Sequence, residues 1–160
     1  MDNKIKLDIG SGRKSFEDYI TLDKEPKVGA DICMDIENDY IDNIKHLKLA
    51  TVFGDVDEIR AHHILEHFKP ENKVLVMQRF YDLLKFGGIL DIEVPKFPHP
   101  ASVQDPTHIS FWCKESFWYF IKGNKFGEAF VQRCPGSPLF EFIDEEDESD
   151  WKYRIRLKKV

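Results

Sequence analysis

The chain has 160 residues, 42% hydrophobic and 32% charged, the profile of one soluble globular domain over 1–160 with a sizeable core. Its net charge of −6 is local, because the run 141–150 (EFIDEEDESD) holds seven acids and no base, leaving 22 acids against 23 bases elsewhere. The nearly neutral body argues against a broad nucleic-acid-binding face, and no apolar run reaches membrane-spanning length.

In chain order, Ile5–Ile9 reads as a first strand that stops at Gly10-Ser11-Gly12. Tyr19–Leu22 is a second strand ending at Asp23, and Ala30–Met34 a third ending at Asp35-Ile36. Val56–Ala61 is a fourth, leading into His62-His63. Pro70–Phe86 carries a helical stripe at Val74, Met77, Tyr81 and Leu84, with Pro70 in the first turn and Gly87-Gly88 as the stop. Ile89–Val94 is a fifth strand, followed by a proline-punctuated stretch and a helix around Lys114–Lys122. Gly127–Arg133 and Tyr153–Leu157 read as two late strands flanking the acidic run, with a short extended segment at Leu139–Ile143. Strands alternating with helices or loops predict an α/β layered fold on a mainly parallel sheet, in which ligands bind beyond the carboxyl ends of the strands. Cys33, Cys113 and Cys134 are odd in number and form no CxxC pair, which suits a reducing, cytoplasmic setting.

Four predicted strand ends carry glycine or polar residues: Gly10-Ser11-Gly12, Asp23, Asp35 and His62-His63. Gly-x-Gly lets backbone approach a ligand closely, and a carboxylate at the next strand end can accept both hydroxyls of a ribose. The spacing discriminates between cofactors. A dinucleotide fingerprint needs a third glycine where Ser15 stands and an acid about 20 residues on, whereas Asp23 follows Gly12 by 11. Only RKSFED separates the loop from the second strand, too short for the helix whose N-terminus would hold a diphosphate. A nucleoside cofactor without phosphates remains compatible.

Leu7-Asp8-Ile9-Gly10-Ser11-Gly12 resembles the first motif of class I S-adenosylmethionine-dependent methyltransferases. Ile20-Thr21-Leu22-Asp23 and Ala30–Ile36 are similar to their second and third strand ends, and His63–Phe68 to the "LEH" segment of the methyltransferase type 11 branch. Leu84–Leu90 resembles the pattern before strand five, with Phe86 where proline is usual, and Asp105-Pro106-Thr107-His108 before Phe111-Trp112 an element of small bacterial or phage-type members. The resemblance implies a Rossmann-like sandwich, mostly parallel with an antiparallel last strand and a shortened or missing first helix. It implies that Gly10, Ser11 and Gly12 line the methionine and ribose of S-adenosylmethionine, with Asp8 supporting the loop or the amino group. Asp23 would bind the ribose hydroxyls and Lys24 pack beside the adenosine, Asp35 and Ile36 would meet the adenine, and Ala61 and His62 would border the methionine end.

Six histidines and a run of aromatics remain. An acceptor hydroxyl benefits from a base of pKa near the working pH, and His108 is the first candidate, with Asp105 as its orienting carboxylate and His67 second. His63 and His67 stand at i, i+4 but lack a compact third ligand, so no metal is expected; a metal-dependent hydrolase on this pair is the lesser alternative. Phe111, Trp112, Phe117, Trp118, Tyr119 and Phe120 read first as a helix packed on the sheet, and secondarily as an aromatic wall for an acceptor such as a sugar. Tyr153, Ile155 and Leu157 alternate with bases, giving a half-buried strand whose basic strip either carries the acidic run or offers a surface to a protein partner. The expected function is methyl transfer from S-adenosylmethionine to a small-molecule oxygen or nitrogen, releasing S-adenosylhomocysteine. A non-catalytic cofactor- or partner-binding module of the same fold is the alternative.

Overall fold

The computed structural model describes residues 4–13, 16–39, 54–147 and 149–160. Seven strands form one sheet: β1 (Lys6–Ile9), β2 (Ile20–Asp23), β3 (Ile32–Cys33), β4 (Val56–His62), β5 (Leu84–Pro95), β6 (Phe140–Glu146) and β7 (Lys152–Lys159). Their order is β3-β2-β1-β4-β5-β7-β6. The pairs β1–β2, β2–β3, β1–β4 and β4–β5 are parallel, while β7 runs antiparallel to both β5 and β6. Strand order reverses at β1, with β2 on one side and β4 on the other, and a crevice for a ligand forms at such a switch point. Turns and no helix occupy the described residues between β1 and β2, in line with a missing first helix.

Burial explains which segments became strands. Leu7, Asp8 and Ile9 are all buried because β1 is central and covered on both faces, and Leu90, Ile92 and Val94 fill the same core from β5. On β7 only Tyr153, Ile155 and Leu157 are buried, so the expected alternation is real. Asp8 sits opposite Arg60 in the β1–β4 register and pairs with it at 2.9 Å.

Helix α1 spans Lys73–Leu83 after a 3₁₀ turn at Pro70–Asn72, and it buries Val76, Met77, Phe80 and Leu83. This face is displaced from the expected stripe: Val74 and Tyr81 only flank it, and Leu84 already belongs to β5. The helix ends there because Leu84 pairs with Val56, after which the register jumps to Ile89 opposite Glu58 and residues 85–88 bulge out. Helix α2 (Lys114–Phe117) continues as a 3₁₀ turn at Trp118–Phe120, placing Phe117 and Phe120 in the core.

The expected strand at Gly127–Arg133 is instead helix α3, Lys125–Arg133. The Asn124 side chain caps it by accepting from the Phe126 N–H at 2.9 Å, and Phe126 and Phe130, one turn apart, meet the rings of Trp118, Tyr119 and Phe120. The strand that pairs with β7 is the extended segment at Leu139–Ile143, prolonged into the acidic run as β6. Lys158 pairs with Glu141, Arg156 with Asp144 and Arg154 with Glu146, so the basic strip is met by the chain's own acids. Among the described residues no helix is long and apolar enough to cross a membrane.

Candidate functional site

A cavity of about 410 Å³ opens beyond the carboxyl ends of β1 and β2. Its floor is Ile9 and Leu22, one wall is Met34, Asp35 and Ile36 after β3, and the other is His63, Ile64, His67 and Phe68 after β4. This is an apolar slot with a few convergent polar groups, the usual make-up of a small-molecule site.

The glycine loop turns back at its rim. The Gly10 N–H donates to the Leu22 carbonyl at 2.8 Å, and the Gly12 N–H donates to Asp23 Oδ2 at 2.9 Å. Both glycines have positive φ, +75° and +58°, so the turn is open to glycine above all other residues. A Cβ on Gly10 would come within 2.6 Å of the Ile64 side chain, which therefore packs directly on the loop. Ser11 is buried beneath it and, like Gly12, adjoins the cavity rather than lining it.

Asp23 reaches the cavity with Lys24 beside it. Besides Gly12, it accepts from the Glu25 N–H through Oδ1 at 2.9 Å, which fixes the carboxylate while each oxygen retains a further lone pair. Asp35 is more committed: its carboxylate accepts from the Glu37 and Asn38 N–H groups and from Asn38 Nδ2. Burial pushes its pKa up, but these bonds outweigh that and hold it below the ordinary aspartate value. Asp35 thus shapes the turn that presents Ile36 to the cavity.

Three further expected cofactor residues stand away from the lining. Asp8 is anchored to Arg60, whose guanidinium lies 4.3 Å from the Phe16 ring centre. Ala61 is fully buried in the core, and His62 Nε2 lies 3.2 Å from Asp91 Oδ1. The reason is length: β4 keeps its ladder through His62, opposite Glu93, and only His63 and Ile64 emerge at the open edge.

Past His63 the chain makes a 3₁₀ turn, Leu65–His67. The D-P-T-H element docks on it: Ile109 and Ser110 N–H donate to the Glu66 carbonyl, and Ser110 Oγ and Trp112 Nε1 donate to the Leu65 carbonyl. His67 and His108 meet edge-to-face at 4.9 Å, and Thr107 and His67 both line the cavity. Asp105 is exposed, and its Oδ1 accepts from the Thr107 N–H and Oγ1, so only Oδ2 faces His108, at 3.9 Å. Equally near, at 3.9 Å, is the buried Glu66 carboxylate. His63 takes other partners: Glu93 at 2.9 Å, Glu66 at 3.6 Å and the stacked ring of Trp151. The Glu66 carboxylate, with Glu93 adding to it, raises the His63 pKa against the lowering effect of burial. The His63–His67 pair considered as the lesser alternative is therefore divided between different partners, and the pairing that forms is His67 with His108.

Neither a protein-family model nor a curated protein sequence matches the chain. Solved structures do. A SAM-dependent methyltransferase from Archaeoglobus fulgidus superposes with a TM-score of 0.61 at 17% identity, covering 98% of this chain and 86% of that one. The Burkholderia thailandensis 1,6-didemethyltoxoflavin-N1-methyltransferase gives 0.61 at 12% identity, covering 98% and 71%. The 16S rRNA (adenine(1408)-N(1))-methyltransferase of Catenulisporales acidiphilia, as a W203A mutant, gives 0.58 at 13%, covering 98% and 85%.

The chain has the class I methyltransferase fold. In this fold the cavity lies at the strand-order reversal, and its carboxylate acceptor suits the hydroxyls of a nucleoside. A carboxylate with free lone pairs faces an apolar slot, and no helix among the described residues offers its N-terminus to a phosphate. Sequence reasoning missed His63, Ile64 and Phe68 as the wall after β4. The signal available was the strand length, since the ladder of β5 runs on to Pro95 and carries β4 with it.

Proposed function

We propose that the chain is an S-adenosylmethionine-dependent methyltransferase acting on an oxygen or nitrogen of a small molecule. The observation that carries this reading is the Asp23 carboxylate at the end of β2, tied to the Gly12 N–H at the rim of an apolar slot of nucleoside size. Asp23 binds the ribose hydroxyls, Ile36 and Met34 pack the base, Lys24 covers the adenosine edge, and the Gly10–Gly12 loop borders the amino-acid portion. Asp35 holds the Ile36 turn, and Asp8 holds β1 to β4 beneath the loop.

Bound S-adenosylmethionine supplies a methyl group on a positively charged sulfur. The protein aligns the acceptor with that carbon and desolvates both. The acceptor lone pair forms the new bond to carbon, and the electrons of the broken C–S bond stay on sulfur, releasing neutral S-adenosylhomocysteine. The acceptor proton leaves at the His67–His108 end, where in the metal-free protein either imidazole takes it and Asp105 or Glu66 balances the charge. A small acceptor is favoured over nucleic acid because Lys152, Arg154, Arg156 and Lys158 of β7 are already paired with acids of β5 and β6.

Calorimetric titration with S-adenosylhomocysteine tests the reading. Saturable one-to-one binding is expected, weakened about 10- to 100-fold in Asp23→Ala, the equivalent of losing a hydrogen bond to a charged group. Absence of saturable binding, or full affinity in Asp23→Ala, would overturn it.

A further inference from the structure

The acceptor end holds a carboxylate that the fold buries without giving it a hydrogen-bond donor. Glu66 is 2% exposed, and neither of its oxygens has a partner at hydrogen-bond distance, the His63 and His108 rings standing 3.6 and 3.9 Å away. A desolvated carboxylate in this condition is costly unless a cation or a proton answers it. One ligand atom each from Glu66, His67 and His108 lies within 4.8 Å of the others, and His108 Nε2 stands 3.9 Å from Glu66 Oε1. The 3.9 Å separation is too long for a hydrogen bond. It falls within the roughly 3.3 to 4.2 Å between atoms that share one metal at 2.0–2.1 Å.

We propose that Glu66, His67 and His108 form a three-ligand site for a divalent cation of the zinc class, opening on the cavity at His67. Two further features support it. His67 Nδ1 lies 3.1 Å from the Thr107 carbonyl, which can only accept, so Nδ1 carries the proton and Nε2 keeps its lone pair. Metal-bound histidines are ordinarily oriented in this way by a carbonyl or carboxylate on the other ring nitrogen. The ligands also come from segments already fastened together, since the Ile109 and Ser110 N–H groups both donate to the Glu66 carbonyl. His108 Nδ1 is likewise buried without a partner.

Two imidazoles and one carboxylate suit zinc, cobalt or iron(II) rather than magnesium or calcium, which prefer oxygen ligands throughout. Three protein ligands leave a coordination position open, the arrangement of catalytic rather than structural sites. Its place beside the acceptor rests on the methyltransferase reading. There the cation lowers the pKa of an acceptor hydroxyl, whose proton passes to solvent, and His67 and His108 serve as ligands instead of bases.

The test is titration of chelator-treated protein with Zn²⁺ and Co²⁺. One equivalent of metal is expected, and the zinc-edge X-ray absorption of the wild type should show two imidazoles and an oxygen with no sulfur. Glu66→Gln and His108→Ala should each weaken Zn²⁺ binding by more than about 100-fold, beyond the 10- to 100-fold typical of outer partners. His99→Ala, whose ring serves the Ala101 N–H, should leave it unchanged. No stoichiometric metal, a sulfur in the shell, or unaltered affinity in both folded variants would overturn the site. The absorption spectrum needs no substitution, so it decides the matter even where a variant fails to fold. S-adenosylhomocysteine binding measured in chelator separates the two readings. Cofactor binding with no metal equivalent removes the metal site alone, and a metal equivalent with no cofactor binding leaves the metal site and removes the methyltransferase.

Discussion

At the scale of single residues, the two glycines of the loop do different work although both have positive φ. Gly12 has nothing within 4 Å of a would-be Cβ, so Gly12→Ala should cost only the left-handed backbone term, about 1–2 kcal/mol. Gly10→Ala adds a collision with Ile64 at 2.6 Å and should cost about 1–3 kcal/mol more through overpacking. Urea unfolding of both variants decides it, and Ile64→Ala in the Gly10→Ala background should couple favourably. Equal losses at the two positions would show that Ile64 does not press on the loop. The glycines and Asp23 were legible because each sits at a place where residue type is dictated by local backbone or by charge. Glu66 was legible as a residue but not as a site. Its burial beside His108 depends on a contact between segments 42 residues apart, fixed by the Glu66 carbonyl and not by any periodicity.

Elements were legible where pattern and burial coincide, as in β1, β2 and β7. They were misread where aromatics and β-branched residues stood on a helix, as at Phe126, Phe130 and Val131 of α3, whose Asn124 cap was the overlooked signal. The acidic run was hard to read as a strand because its partners are the bases of β7, a charge match that only pairing reveals. The β5–β7 pair contains its own buried version of that match. Asp91 accepts from Arg154 Nε and Nη2, at 2.8 and 2.6 Å, with His62 on its other side. Burial pushes the Asp91 pKa up, but Arg154 and His62 outweigh this and hold it well below the ordinary aspartate value. A depressed carboxylate stabilises the fold fully above its unfolded pKa of about 3.9 and ceases to do so as pH falls through the folded value. Asp91→Asn should therefore cost about 2 kcal/mol at neutral pH, with the gap to wild type closing as pH falls below about 4. A gap in chemical stability that stayed constant from neutral to acid pH would rule this out.

For the whole molecule, the sheet order places a crevice where β2 and β4 diverge from β1, floored by strand ends and walled mostly by the loops that follow strands. Those loops join elements distant in sequence, so a ligand held by them ties the two halves of the parallel sheet together. A ligand that binds only the folded chain stabilises it by mass action, about 2.7 kcal/mol at one hundred times its Kd. For a chain of this length each kcal/mol moves the melting temperature by about 2–4 °C, so S-adenosylhomocysteine at that concentration should raise Tm by roughly 5–11 °C. NAD should give no comparable shift, because no glycine-rich helix N-terminus among the described residues receives its diphosphate. Asp23→Ala should lose most of the shift at the same concentration, while Asp105→Ala, on the exposed acceptor loop, should keep it. A shift with NAD equal to that with S-adenosylhomocysteine would mean that the crevice reads the adenosine alone and that the glycine loop makes no distinction beyond it. A shift retained in Asp23→Ala would place the nucleoside elsewhere, since Asp23 is the one carboxylate of the lining not committed to a local turn by three hydrogen bonds.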